Sequence, residues 1–171
     1  ALDIQTYNIV NIYLENNNFL ETQNSNSYES ALKMEFSLPT IYSQNNSGSL
    51  TVSSTSGTGI RIGSGSLTIN GGSVTASSSS GTGIESDSLT IKGGSVDASS
   101  LSGTGIKNGS LTIKGGSVTA SSSSGTGIKS NSLTIEDGSV KASSTHRTGI
   151  ESGSLTIKGG SVTASSADET E

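Results

Sequence analysis

The sequence predicts an all-β fold, a single-stranded parallel β-helix with about 22 residues and three strands per coil. The first observation behind it is a repeat. The stretch Gly109-Ser110-Leu111-Thr112-Ile113-Lys114-Gly115-Gly116-Ser117-Val118-Thr119-Ala120 returns, lightly edited, at a 22-residue period. It sets up columns of Leu67, Leu89, Leu111, Leu133 and Leu155, and of Val74, Val96, Val118, Val140 and Val162. Self-similarity at a fixed period of this size is the signature of a solenoid. The second observation is alternation. Ser-Leu-Thr-Ile-Lys and Ser-Val-Thr-Ala-Ser put Leu, Ile, Val and Ala on one face and Ser, Thr and Lys on the other, which is the strand period of two. The third is breaker density: glycine and β-branched residues are too frequent for helix, and helix caps are missing.

Each unit carries a third apolar segment, Gly-Thr-Gly-Ile, ending on Ile84, Ile106, Ile128 or Ile150, with Ile60 or Ile62 in the first copy. Three one-sided strands make one coil, and right-handed winding is expected of parallel crossovers. Corners are expected at Gly65, Asp87, Gly109, Asn131 and Gly153, residue types that tolerate left-handed backbone. A second corner falls at the Gly-Gly pairs 71–72, 93–94, 115–116 and 159–160, replaced once by Asp137-Gly138. One coil buries a Leu, two Ile, a Val and an Ala. That is too little to offset ordering its backbone at about 1–2 kcal/mol per residue, so the coils must stack.

The chain is read as one domain over residues 1–171, with an irregular N-terminal cap or first coils over 1–47, regular repeats over 48–164 and a tail over 165–171. Residues 1–47 alternate around Leu2 and Ile4 and around Val10, Ile12 and Leu14, with turns expected at Tyr7-Asn8 and Asn16 to Asn18 and a polar loop from Thr22 to Ser30. This stretch holds all 4 Tyr, both Phe and the single Pro of the chain. Its aromatic residues are expected to cap and pack the open apolar column, as terminal units of a solenoid must. Ser49-Leu50-Thr51-Val52 reads as the start of the array, 17 residues before Leu67 and lacking the Gly-Gly strand.

Only 29% of residues are hydrophobic and 4% aromatic, enough for a thin core but poor for a sandwich. A net charge of −5 from 9 Lys+Arg and 14 Asp+Glu argues against nucleic acid as partner. No apolar run is long enough for a membrane span, and with no cysteine there is neither disulfide nor thiolate metal site. The chain starts at Ala1 already in strand-like sequence. It is expected to be a processed portion of an exported protein whose open C-terminal coil meets further chain or associates end to end.

Units of the form Gly-Ile-Lys-Ser-x-x-Leu-Thr-Ile-x-Gly-Gly-x-Val-Thr-Ala, as at 127–142 and 105–120, resemble the repeats of bacterial surface proteins known as carbohydrate-binding domain-containing proteins. The N-terminal stretches Ala1-Leu2-Asp3-Ile4, Val10-Asn11-Ile12-Tyr13-Leu14, Ala31-Leu32 and Gly48-Ser49-Leu50-Thr51-Val52 are similar too. The resemblance implies a right-handed β-helix like that of pectate lyases, a secreted or cell-surface bacterial location and polysaccharide as partner. The acidic turn residues of that family are Ser, Asn and Thr here.

Outward positions sort into columns. Ser66, Ser88, Ser110, Ser132 and Ser154 run beside Thr68, Thr90, Thr112, Thr134 and Thr156, and these beside Asn70, Lys92, Lys114, Glu136 and Lys158. Such columns are ordinarily solvated ladders. As candidate ligand-binding residues they offer Lys92, Lys114 and Lys158 as point charges, with Thr90, Thr112, Thr134, Ser88 and Ser110 as hydroxyl partners for an acidic polysaccharide. Glu85 and Asp87 are the weak candidates for a calcium site, two carboxylates being too few alone, and no other cofactor is expected. His146-Arg147 replaces Ser-Gly of the other copies but has no Asp or Cys beside it, and no facing pair of carboxylates is legible, so no enzyme is expected. Asn45 and Asn108 fit the Asn-x-Ser acceptor pattern. Three functions remain: a carbohydrate-binding surface module, a structural stalk or adhesin segment, and an ice-binding solenoid. Asp97 and Lys141 in the Thr75, Thr119 and Thr163 column count against the last.

Overall fold

The computed structural model describes residues 2–5, 9–22, 29–35, 37–43 and 47–167. Parallel strands stack as an all-β solenoid, with no helix among the described residues. Five turns at the 22-residue period follow two irregular ones. The first irregular coil holds β1 (Leu2–Gln5), β2 (Ile9–Leu14) and β3 (Asn17–Thr22), and the second β4 (Leu32–Glu35), β5 (Leu38–Ser43) and β6 (Ser49–Ser54). Then come β7 (Ile60–Ile62) with β8 (Ser66–Ser78), β9 (Ile84–Ser100), β10 (Ile106–Ile113) with β11 (Ser117–Ser122), β12 (Ile128–Ile135) with β13 (Ser139–Ser144), and β14 (Ile150–Ile157) with β15 (Ser161–Ser166).

The three expected segments per coil exist as three pairing faces, but they run into one another. In β10, Ile106 to Asn108 and Ser110 to Ile113 pair in register with β9 and β12, and Gly109 between them skips the ladder. This defines a Gly-Ile face, a Leu/Ile face and, at β11, a Val/Ala face. Every apolar column of the repeats is paired like with like, as Leu89–Leu111–Leu133 and Val96–Val118–Val140 show. Their side chains form one buried core of continuous apolar columns.

Glycine is required at the corner after the Leu/Ile face. Gly72, Gly94, Gly116, Gly138 and Gly160 all take φ between +80° and +100°. In the first pair Gly71 has positive φ as well, +143°, beside the bulge; in the later pairs only the second residue carries the constraint, which is why Asp137-Gly138 fits. The other corner differs from expectation. Gly65, Asp87, Gly109, Asn131 and Gly153 keep negative φ, and the chain turns there by dropping one residue from the ladder.

Two readings of the N-terminal region are corrected. Leu50 pairs with Val74 and Val52 with Ala76, so Ser49-Leu50-Thr51-Val52 is the Val/Ala strand of its coil, not a Leu/Ile strand. The Leu/Ile position of that coil belongs to β5, where Ile41 pairs with Ile69. Residues 1–47 accordingly supply coils of the solenoid. The described aromatic residues point outward instead of packing the core: Phe19 is 73% and Tyr13 67% exposed, and Tyr13 stacks on Tyr42. The strand parity dictates this, because Tyr13 lies between inward Ile12 and Leu14. Tyr7, Tyr28, Phe36, Asn45 and the end of the expected tail lie outside the described residues. Ser165 and Ser166 of that tail belong to β15. Leu155 and Ile157 in the last coil are about half exposed, since no further described coil covers them. No described helix is long and apolar enough to cross a membrane.

Candidate functional site

The Leu/Ile face presents three outward columns. Ile9, Leu38, Ser66, Ser88, Ser110, Ser132 and Ser154 form the first, and Asn11, Thr40, Thr68, Thr90, Thr112, Thr134 and Thr156 the second. Tyr13 and Tyr42 start the third, which continues by register into Asn70, Lys92, Lys114, Glu136 and Lys158. A bulge between Ile69 and Ser73 offsets Asn70, whose ladder partner is Gly93. Beyond it the backbone N–H groups of Lys114, Glu136 and Lys158 each donate to the preceding coil, to Ile91, Ile113 and Ile135 at 2.7–2.8 Å.

The structure therefore brings the predicted lysines and hydroxyls onto one face, with one qualification on charge. Glu136 reaches both neighbours: Lys114 Nζ lies 3.8 Å and Lys158 Nζ 3.5 Å from its carboxylate oxygens. Lys92 has no ion-pair partner among the described residues. The column is net cationic, but its positive charge is concentrated at Lys92, and Lys114 and Lys158 share a counter-charge.

The Gly-Ile face carries a different ladder. Asp3, Lys33, Arg61, Glu85, Lys107, Lys129 and Glu151 follow one another in register. Lys107 Nζ donates to Glu85 at 3.0 Å and Lys129 Nζ to Glu151 at 2.7 Å. The Lys129 hydrogen bond holds the Glu151 carboxyl below its ordinary value, against a smaller opposing push from burial; the Lys129 charge, the Thr126 hydroxyl and Arg147 act in the same lowering direction. Glu85 is thus engaged by Lys107, with Thr58 Oγ1 at 3.5 Å, and shares the lining of one groove with Asp87. Among the described residues no three His, Asp or Glu side chains converge as metal ligands. A groove of about 540 Å³ lies over this face, bounded by Arg61, Asp87, Lys107 and Asn131.

Two polar columns point inward, and one of them ties coil to coil. Ser78, Ser100, Ser122 and Ser144 are buried at the corner after the Val/Ala face. Each Oγ donates to a carbonyl of the coil before, Gly57, Gly81, Gly103 and Gly125 respectively, at 2.5–2.6 Å. Each also accepts the N–H three residues on, from Gly81, Gly103, Gly125 and Arg147. Sequence reading left these serines outside, although counting by twos from Val96 through Ala98 reaches Ser100. The other column is Ser86, Asn108 and Ser130. Asn108 is 7% exposed in mid-strand, which withdraws its Asn-x-Ser match from any modifying enzyme in the folded chain.

His146 is exposed, its Nδ1 2.8 Å from the Ser123 carbonyl, and no carboxylate is among its described partners. On the Val/Ala face Asp97 and Lys141 stand in register on either side of Thr119, so charge interrupts the Thr column as its sequence register implies. No family model, curated protein or solved structure matches the chain.

Proposed function

We propose that this chain is a non-catalytic, extracellular carbohydrate-binding module whose Leu/Ile face lies along an acidic polysaccharide. The observation that carries the reading is the alignment of Lys92, Lys114 and Lys158 in one outward column beside unbroken Thr and Ser columns. Coils repeat at a strand spacing of about 4.8 Å, so the face is long, straight and regular. That suits an extended polymer better than a compact ligand. Ammonium groups meet carboxylates as point charges, and hydroxyls on both sides exchange hydrogen bonds.

Gel retardation of the chain in polygalacturonate tests it. Retardation is expected at low salt and falls as salt rises, because exposed charges are screened beyond about 8 Å at physiological ionic strength. Lys92→Ser with Lys114→Ser should remove the salt-dependent part and leave the melting temperature nearly unchanged. Glu136→Gln should strengthen retardation, since it releases Lys114 and Lys158 from their shared carboxylate. Unaltered retardation in both variants overturns the reading. It then favours the stalk, a reading supported by the ion pairs that tie coil to coil on the Gly-Ile face.

A further inference from the structure

We propose that the outer surface of the first two coils is a sugar-stacking subsite, built by Tyr13 and Tyr42 with Ile9, Leu38, Asn11 and Thr40. The inference rests on the carbohydrate reading and adds to it a place where sugar rings, not acid groups, are held. The two tyrosine rings are stacked, with centroids 5.2 Å apart and planes 16° from parallel. Across the face, Ile9 is 71% and Leu38 55% exposed. These are outward strand positions that the later coils fill with Ser, Asn, Lys or Glu. Between the apolar columns run Asn11 and Thr40, paired in register and outward-facing.

Two apolar strips flanking an amide and a hydroxyl match the chemistry of a pyranose, whose ring carries apolar C–H faces and a rim of hydroxyls. Tyrosine supplies a flat apolar body with a polar tip, and four outward apolar side chains gathered on one face of two coils, where the later coils carry polar ones, are a feature of interaction surfaces. A protein partner fits less well. The patch is two coils deep, about 10 Å at the strand spacing, against roughly 800 Å² per partner for a stable protein interface. Its central hydroxyl column runs on without a break from Thr40 through Thr68 and Thr90 to Thr112, with the lysine column resuming beyond the bulge at Asn70, so a polymer lying along the axis meets both.

The test uses the full chain in gels containing polygalacturonate or the neutral polymer hydroxyethylcellulose, at low salt and at about 1 M NaCl, where the screening length is about 3 Å. The parent should keep a salt-resistant retardation in at least one polymer. Tyr13→Ser with Tyr42→Ser should weaken it about tenfold, the scale of lost aromatic contacts. Tyr13→Phe with Tyr42→Phe, which preserves the stack, should retain it if the serine variant fails to fold. Phe19→Ser removes an equally exposed aromatic from the Val/Ala face and should have no effect. Salt-resistant retardation that is absent from the parent, that survives in a folded Tyr13/Tyr42 serine variant, or that falls equally with Phe19→Ser overturns the subsite. In the first two cases a salt-dependent, lysine-dependent retardation leaves the lysine reading standing. Tyrosine-dependent retardation that ignores Lys92 and Lys114 supports the subsite and removes the lysine reading instead.

Discussion

Leu111 and Thr112 are neighbours with opposite fates, one fully buried in the apolar column and the other half-exposed on the hydroxyl ladder. Leu111→Ala should cost about 2–5 kcal/mol, the range for emptying a packed site, while Thr112→Ala should cost well under 1 kcal/mol as a surface change. Denaturant midpoints of the two variants check the parity of the whole array. Glycines divide as sharply. A Cβ on Gly105 would lie 2.7 Å from the Gly127 carbonyl oxygen and 2.8 Å from both the Ala98 oxygen and the Ser121 nitrogen. A Cβ on Gly93 would meet nothing within 4 Å. Gly105→Ala should therefore force the coils apart and lower the melting temperature markedly. Gly93→Ala should be neutral, or stabilising by about 0.4–1 kcal/mol through the unfolded chain. Comparable losses in the two would contradict the close stacking at the Gly-Thr-Gly segment.

At the scale of strands, what the sequence displays is the period and the parity, because both are repeated often enough to cancel local noise. Column partners 22 residues apart are legible for the same reason, as the Ser110–Ser132 and Thr112–Thr134 neighbours show. What was not legible has a common cause. Ser49-Leu50-Thr51-Val52 alternates in the same way whichever face it joins, so rhythm alone could not distinguish the Val/Ala strand from the Leu/Ile strand. Tyr13 and Tyr42 are misplaced by composition because aromatic residues are bulky core formers elsewhere, whereas their strand parity, next to inward Ile12, Leu14 and Ile41, turns them outward. The ion pairs make a pH prediction. The Glu151 carboxyl is held below its usual 4.5 by Lys129, so its contribution is fully present above 4.5 and is lost as pH falls through the lowered value. Both side chains are about half exposed, so the contribution is small and salt-sensitive. Melting temperatures of the parent and Glu151→Gln should differ slightly at neutral pH and low salt and converge in acid.

For the whole molecule, one coil is the unit that can be added or removed. Deleting residues 89–110 joins Ser88 to Leu111, and each column then closes on a like residue one coil away. The product should be a shorter solenoid that unfolds cooperatively by circular dichroism. Deleting 89–99 leaves half a coil, brings unlike columns together and should abolish the transition. Equal damage from both deletions would contradict the register described above.

The buried serines give this regular stack a direction. Each hydroxyl donates backward, Ser100 to Gly81 and Ser122 to Gly103, and closes its own corner by accepting an N–H from within its own coil. An arriving coil thus carries its donor with it and finds the acceptor already in place, while the coil before it does not wait for that bond to shape its own corner. The stack is thereby polar along its axis, the buried hydroxyls of Ser78, Ser100, Ser122 and Ser144 all donating toward the N-terminal end.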